Sequence, residues 1–115
     1  MLIRSQDKRM IVNFDNICTV SAFPEKDSED IYVEDGTGSL MVGRYSTKAK
    51  AMKVLDMIQE AYGDSEYTKY VIPEVCRTLS MKPRTEENKA HAGEIGEMLK
   101  KGMTFQMPED SEVEA

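Results

Sequence analysis

The residues Leu40–Gly63, LMVGRYSTKAKAMKVLDMIQEAYG, decide the fold because the spacing of apolar residues changes within them. Up to Tyr45 the residues alternate as they do along a β-strand, and from Ser46 onward the apolar spacing is that of a helix. Ser46 and Thr47 can each cap free backbone N–H groups, and Gly63 is the residue type that most often ends a helix. The stretch therefore predicts a strand that leads directly into a helix.

The predicted helix has one broad apolar face, so it must pack against another element. Short alternating segments before it predict five strands, at residues 2–4, 9–14, 17–23, 29–34 and 39–45. The polar turns between them are too short for a parallel crossover, which favours an antiparallel meander. The sequence therefore predicts an α+β fold, in which a meander of about five strands is covered by one long amphipathic helix.

The chain beyond the first helix carries weaker signals. Residues 67–76 are rich in Tyr, Val and Ile and predict a sixth strand, which Pro73 would divide or confine to a sheet edge. Residues 85–101 predict a second, weaker helix with a thin apolar stripe and two interior glycines. Residues 103–107 predict a last short strand. The late part of the chain thus adds one helix and one or two strands.

The length and the distribution of charge predict the domain organisation. A chain of 115 residues has the size of one domain, and we expect a single α+β domain over residues 1–108. Residues 77–102 have the character of a helical insertion between the last two strands. Residues 109–115 contain four of the 21 acidic residues, and this composition predicts a disordered acidic tail.

The net charge of −6 argues against broad electrostatic attraction to nucleic acid or to an anionic membrane, since both need clustered positive charge. No stretch approaches the length of a membrane span, and charges near the N-terminus interrupt any signal-like apolar run. Cys18 and Cys76 have no CxxC partner or nearby His/Cys cluster, so we expect buried free thiols, with one disulfide as the alternative. These features predict a cytoplasmic protein without membrane contact.

One feature departs from ordinary helix design, because Arg44, Lys48 and Lys50 surround the first turn of the predicted helix. Cations oppose the helix macrodipole at this end, where acidic residues would be favoured. A cationic helix start with free N–H groups can hold a phosphate or a partner's carboxylate. These three residues are therefore the candidate anion-binding site, and exposed lysines tolerated at a small cost are the alternative.

The candidate metal ligands are Glu87, His91 and Glu94, which would share one face of a helix. The chain has a single His and no HExxH pattern, so a solvated helix face is the simpler interpretation. The acidic residues between positions 27 and 35 miss the offsets of an EF-hand, and no nucleophile, base and orienting group combine into a catalytic set. We therefore expect no metal, no cofactor and no enzymatic activity.

Three stretches, IRSQDK at residues 3–8, VGRYST at residues 42–47 and the helical segment 51–58, resemble a group of small proteins of unassigned activity. That group belongs to low-GC Gram-positive bacteria and their phages or mobile elements. The closing FQMP at residues 105–108 is similar more weakly, and the insertion-like segment has no counterpart. The resemblance implies a cytoplasmic bacterial or phage accessory protein, and it transfers no catalytic residue.

The preferred interpretation is a non-enzymatic binding or accessory module that acts through a protein partner or through its own dimer. One alternative is a nucleic-acid-binding or phosphate-binding protein that uses the cationic helix start, together with Arg77, Lys82 and Arg84. A second alternative is a small metal-dependent enzyme centred on His91. The nucleic-acid-binding or phosphate-binding alternative requires cationic side chains that are not already paired. The metal-enzyme alternative requires several metal ligands that converge on one point.

Overall fold

A computed structural model describes residues 1–80, 85, 93–94 and 104–114, and this part of the chain contains six short strands and one long helix. The strands are β1 (Leu2–Arg4), β2 (Ile11–Asn13), β3 (Thr19–Pro24), β4 (Glu29–Glu34), β5 (Ser39–Tyr45) and β6 (Thr104–Gln106). The helix α1 (Lys48–Ser80) follows β5 directly, as the change of period predicts. Single turns of 3₁₀ helix lie at Phe14–Asn16 and Asp110–Glu112.

The strands form two three-stranded sheets, with the orders β2-β1-β6 and β3-β4-β5. All pairings are antiparallel except that of β1 with β6, which is parallel. The α+β fold is therefore confirmed, but the predicted five-stranded meander is divided between β2 and β3. The division occurs because Asp15 and Asn16 belong to a 3₁₀ turn, capped by the side chain of Asn13, instead of a hairpin turn.

The core lies between α1 and the two sheets. It consists of Ile3, Ile31, Val33, Val42, Tyr45, Ala51, Val54, Ile58, Met107 and Val113. The first turns of α1 bury Ala51, Val54 and Ile58, which repeat at the spacing of one helix face. The helix stripe inferred from the sequence is therefore the face that packs on the sheet.

The helix continues far beyond Gly63, and the strand predicted for residues 67–76 is wrong. Ser65 and Thr68 follow Ile58 at helical spacing and are half-buried and buried, so the period that starts the helix is maintained. The preference of Tyr, Val and Ile for strands depends on a neighbouring strand to pair with, and the helical period prevails here. Pro73 lies inside the helix.

Replacing Gly63 with alanine tests the continuity of the helix. Nothing lies within 4 Å of a Cβ built at this position. Within a helix the alanine should raise the free energy of unfolding by about 0.5–1 kcal/mol, because glycine has the greater conformational freedom to lose. Urea denaturation measures the change. A loss of stability would indicate that the helix ends here in a left-handed turn, as the sequence alone suggests.

The C-terminal segment packs against the rest of the protein, which corrects the disordered tail predicted for residues 109–115. Val113 is buried, and Met107 lies in the core. The Tyr45 hydroxyl donates a hydrogen bond to the carbonyl of Pro108 at 2.8 Å, and burial raises the pKa of this tyrosine. An apolar anchor and specific polar contacts thus hold a segment whose acidic composition alone predicts disorder.

The remaining predictions about the late chain, the insertion-like segment 77–102 and the helix 85–101, lie for the most part outside the described residues. Among the described residues, no helix is long and apolar enough to span a membrane.

Gly43 permits the close approach of the C-terminal segment to β5. A Cβ at this position would lie 3.0 Å from Met107 Cε and 3.0 Å from Tyr45 Cε2. Gly43→Ala should therefore lower the free energy of unfolding by about 1–3 kcal/mol, as overpacking does in a filled core. Gly38→Ala, immediately before β5, is the control, because a Cβ there meets nothing within 4 Å. Equal stability of the two variants would contradict the packing described.

Candidate interaction surface

The start of α1 is cationic as predicted, but a carboxylate of the same chain occupies it. The Ser46 N–H donates to Asp110 Oδ1 at 2.7 Å, and Lys50 Nζ lies 3.3 Å from Asp110 Oδ2. Lys50 Nζ also donates to the backbone carbonyl of Asp110 at 2.9 Å. The Thr47 hydroxyl caps the helix by accepting from the Lys50 N–H at 3.2 Å. The electrostatic preference for an anion at this end is thus met by the C-terminal segment.

The hydrogen bond from the Ser46 N–H is the main cause that lowers the pKa of Asp110, and Lys50 adds to the effect. A carboxylate whose pKa is lower in the folded state stabilises the fold above its unfolded pKa of about 3.9. This contribution is lost as the pH falls through the lower, folded pKa. We predict that Asp110→Asn reduces the melting temperature at pH 7 and that the difference from wild type disappears in acid.

The control for this prediction is Glu114→Gln, which removes one negative charge from the same segment. The side chain of Glu114 is exposed. Thermal unfolding followed at pH 7 and at successively lower pH compares the two variants. A pH-independent difference for Asp110→Asn, or an equal effect of Glu114→Gln, would contradict the contact with the helix start.

Arg44 is also paired within the chain. Its Nε lies 3.0 Å from Asp30 Oδ1 and its Nη2 lies 3.2 Å from Asp30 Oδ2, a two-pronged pair between neighbouring strands. Ser28 Oγ donates to the same carboxylate at 2.9 Å. Asp30 is 1% exposed, whereas the Arg44 side chain is 62% exposed and covers it. The hydrogen bond to Asp30 raises the pKa of Arg44.

The structure therefore does not combine the three predicted cations into one site. Arg44 is held by Asp30 on the sheet, Lys50 is held by Asp110 at the helix start, and Lys48 is exposed. Two of the three charges are compensated by buried or neighbouring carboxylates. An external anion would have to compete with these internal contacts.

The candidate metal ligands Glu87 and His91 lie outside the described residues, and Glu94 is an exposed helical residue. Among the residues that the structure describes, no group of three His, Cys, Asp or Glu side chains is placed to hold a metal. Cys18 is a free, exposed thiol, so the prediction of a buried thiol is wrong for this residue. Cys18 lies just before β3, where its side chain faces solvent. The prediction for Cys76 concerns a side chain outside the described part.

Gln6, in the turn that follows β1, forms hydrogen bonds with β5 of the other sheet. Its backbone N–H donates to the carbonyl of Val42 at 2.8 Å. Its side-chain amide accepts from the Arg44 N–H at 2.8 Å and donates to the Arg44 carbonyl at 3.0 Å, as a backbone peptide of a neighbouring strand would. The same amide nitrogen lies 3.2 Å from the carbonyl of Pro108. Gln6 thus covers the C-terminal half of the β5 edge.

The turn between β1 and β2 is fixed by its own side chains. Ser5 Oγ donates to Asp7 Oδ1 at 2.6 Å, and Asp7 Oδ1 accepts from the Arg9 N–H at 3.0 Å. These contacts, that with Ser5 first, lower the pKa of Asp7. Lys8 adopts a φ of +64°, and its carbonyl accepts from the Arg4 guanidinium. The turn is therefore a rigid wall beside β5.

An open cleft of about 330 Å³ lies between this turn and β5. Its lining residues are Ser5, Gln6, Asp7, Arg9, Met10, Met41, Val42 and Gly43. The lining is mainly apolar, and the thioethers of Met10 and Met41 are flexible enough to adjust to different side chains. The cleft is therefore suited to one apolar side chain with polar groups at its rim.

Two hydrogen bonds fix the direction of the backbone groups along β4. The Cys18 N–H donates to the Glu34 carbonyl at 2.7 Å, so Glu34 presents its backbone to β3. Arg44, which lies opposite Asp30, presents its N–H and carbonyl to Gln6 and hence away from β4. Because backbone direction alternates along a strand, every second residue of β4 from Asp30 to Glu34 faces β3.

The β5 residues opposite these positions, Ser39, Met41 and Arg44, therefore direct their N–H and carbonyl groups away from β4. Gln6 binds those of Arg44. Those of Ser39 and Met41 face no strand in the part of the chain that the structure describes. The side chains of Leu40 and Met41 are 49% and 43% exposed. Ser39–Met41 is thus an open strand edge without a charged residue or a proline.

The opposite edge of the same sheet differs. By the same alternation, Val20, Ala22 and Pro24 of β3 direct their backbone groups outward. Pro24 has no N–H to donate, and the charged Glu25 follows it. A proline and a charged residue are two common features that protect a sheet edge from pairing with a further strand. The β5 edge carries neither protection. We define the open edge 39–41 together with the cleft as the edge surface.

The sequence does not reveal the edge surface, because it forms only when the turn after β1 meets β5. The one available signal is the uncharged SLMV run at residues 39–42, which by itself predicts only a strand. Comparison of the chain with models of protein families, with curated proteins and with solved structures gives no match. The edge surface therefore rests on its own geometry.

Proposed function

We propose that the protein is a non-enzymatic binding module that takes an extended segment of a protein along the β5 edge. The observation that carries this proposal is the row of outward N–H and carbonyl groups at Ser39 and Met41. An added strand forms main-chain hydrogen bonds with such groups, and side-chain pockets beside the edge supply specificity. The cleft next to Met41 is such a pocket.

The exposed residues around the edge support a protein ligand. Phe23 is 49% exposed and contacts Tyr32 with a ring-centroid distance of 5.9 Å. Phe23, Tyr32, Met41 and Arg44 share the outer face of the β3-β4-β5 sheet, according to the strand register. Aromatic residues, Met and Arg are the types enriched in protein interfaces. The sheet face would thus extend the contact beyond the strand itself.

The pairing of the predicted cations favours this function over the nucleic-acid-binding or phosphate-binding alternative. A phosphate contact needs a free cation, and Arg44 and Lys50 are already paired with Asp30 and Asp110. The net charge of −6 opposes polyanion binding further. Binding to DNA or RNA that weakens steeply with salt and with Lys48→Glu would restore the alternative.

Met41→Pro tests the proposal. Proline removes the outward N–H of residue 41 and leaves the ladder between β4 and β5, in which this N–H takes no part. The chain is immobilised at low density, short random peptides displayed on phage are selected against it, and the selected peptides are synthesised. We expect the selected peptides to be extended, with alternating apolar residues. Their affinity for Met41→Pro should be lower by about tenfold or more, because the proline removes a main-chain hydrogen bond and its ring hinders the approach of the added strand.

The control is Met52→Lys, which changes an exposed methionine, 47% accessible, that lies on the helix and not on the β5 edge. This variant should bind the peptides as wild type does. Circular dichroism and the melting temperature check that both variants fold. Peptides that bind Met41→Pro as strongly as wild type, or a library that yields no binder, would count against the proposal.

The resemblance to proteins of Gram-positive bacteria and their phages supports two further parts of the proposal. We propose that the protein acts in the cytoplasm and that it serves a phage or another mobile element as an accessory protein. The exposed free thiol of Cys18 is compatible with a reducing compartment. Fractionation of cells that express the tagged chain tests the location.

A further inference from the structure

We infer that the strand received by the β5 edge is the same strand of a second copy, in an antiparallel pair centred on Leu40. The inference rests on the proposed function and names the partner. It uses the open backbone groups of Ser39 and Met41, the distribution of charge along β5, and the exposure of Leu40.

The backbone of Ser39–Met41 is self-complementary. In an antiparallel pair with a two-fold axis at Leu40, Ser39 of each copy lies opposite Met41 of the other. Both residues direct their N–H and carbonyl groups outward, so each such pair exchanges two hydrogen bonds. All the outward groups that Gln6 leaves open on β5 are then satisfied at once. The β3-β4-β5 sheets of the two copies then form one continuous six-stranded sheet.

The charges at the two ends of the strand also match only in the antiparallel arrangement. Exposed Glu34 and Asp35 precede β5. The turn beside the C-terminal half of β5 carries exposed Lys8 and Arg9 against one acid, Asp7. The hydrogen bond from the Thr37 N–H lowers the pKa of Asp35 and keeps this carboxylate charged. Antiparallel pairing brings the acidic end of each copy toward the Arg9 end of the other. A parallel pair would place acid beside acid.

The apolar side chains support the same axis. Leu40 lies opposite core residue Val33 but is 49% exposed, because the sheet ends at β5. In the proposed pair the two Leu40 side chains cover each other across the axis. The contact is short and smaller than a standard interface of about 800 Å² per partner, so we expect a dimer with a dissociation constant in the micromolar range or weaker.

Cysteine cross-linking tests the axis directly. In the proposed pair Leu40 is the one residue that lies opposite its own copy, as a non-hydrogen-bonded pair with a Cα separation of about 4.5 Å. This distance allows a disulfide. In a Cys18→Ser, Cys76→Ser background, Leu40→Cys should give a covalent dimer under mild oxidation. Ser39→Cys, the matched control, should stay monomeric because Met41 of the other copy lies opposite it.

Sedimentation equilibrium of the unmodified chain gives the second measurement. We expect a reversible monomer–dimer equilibrium that Met41→Pro shifts by about thirtyfold, because the symmetric pair loses two N–H donors. Melting temperatures under reducing conditions check that the variants fold. Equal cross-linking of Leu40→Cys and Ser39→Cys, or a strict monomer together with no cross-link at Leu40→Cys, would overturn the inference.

The outcomes separate this inference from the proposed function. A strict monomer that still binds selected peptides in a Met41-dependent way means that the edge receives another protein. A dimer that Met41→Pro leaves intact and that Leu40→Cys does not cross-link means that self-association uses another surface. Both results contradict the pairing of two β5 strands, and only the first leaves the edge surface as the binding site.

Discussion

The arrangement of the two sheets depends on the hydrogen bonds that Gln6, in the turn after β1, forms with β5. Its backbone and side chain bind β5 at Val42 and Arg44, and the amide nitrogen also reaches the carbonyl of Pro108. A carboxylate at this position would accept hydrogen bonds but donate none, so the two carbonyl partners would lose their donor. One half-buried side chain thus joins the turn after β1, strand β5 and the C-terminal segment.

The same contact explains why the edge surface lies where it does. Gln6 occupies the outward groups of β5 from Val42 onward, and the rigid turn that carries Gln6 forms the wall of the cleft. The rest of the edge, Ser39–Met41, stays open. A full strand in place of Gln6 would cover this edge of the sheet and remove the edge surface. The edge surface is therefore a consequence of closing the fold with a side chain instead of a strand.

The local part of the fold is predictable from the sequence, and the long-range part is not. Alternation and turn residues locate the first five strands, and the change of period at Ser46 locates the start of the helix. Gly63 misleads, because glycine ends many helices but is also tolerated inside one that packing stabilises. The parallel pairing of β1 with β6 joins residues about a hundred positions apart, and the docking of Asp110 on the helix start joins residues about sixty positions apart. No local pattern encodes either contact.

The cationic helix start has an anion from within the chain beside it. The conflict between Lys50 and the helix dipole correctly indicates a missing anion, and Asp110 supplies that anion from within the chain. A helix end that already has a carboxylate beside it binds an external phosphate less strongly. The contact with Asp110 also holds the segment that carries Pro108 and Val113 against the core. Lys50 and Asp110 thus help to close the fold, and the backbone groups of Ser39 and Met41 on β5 stay open in the described part of the chain.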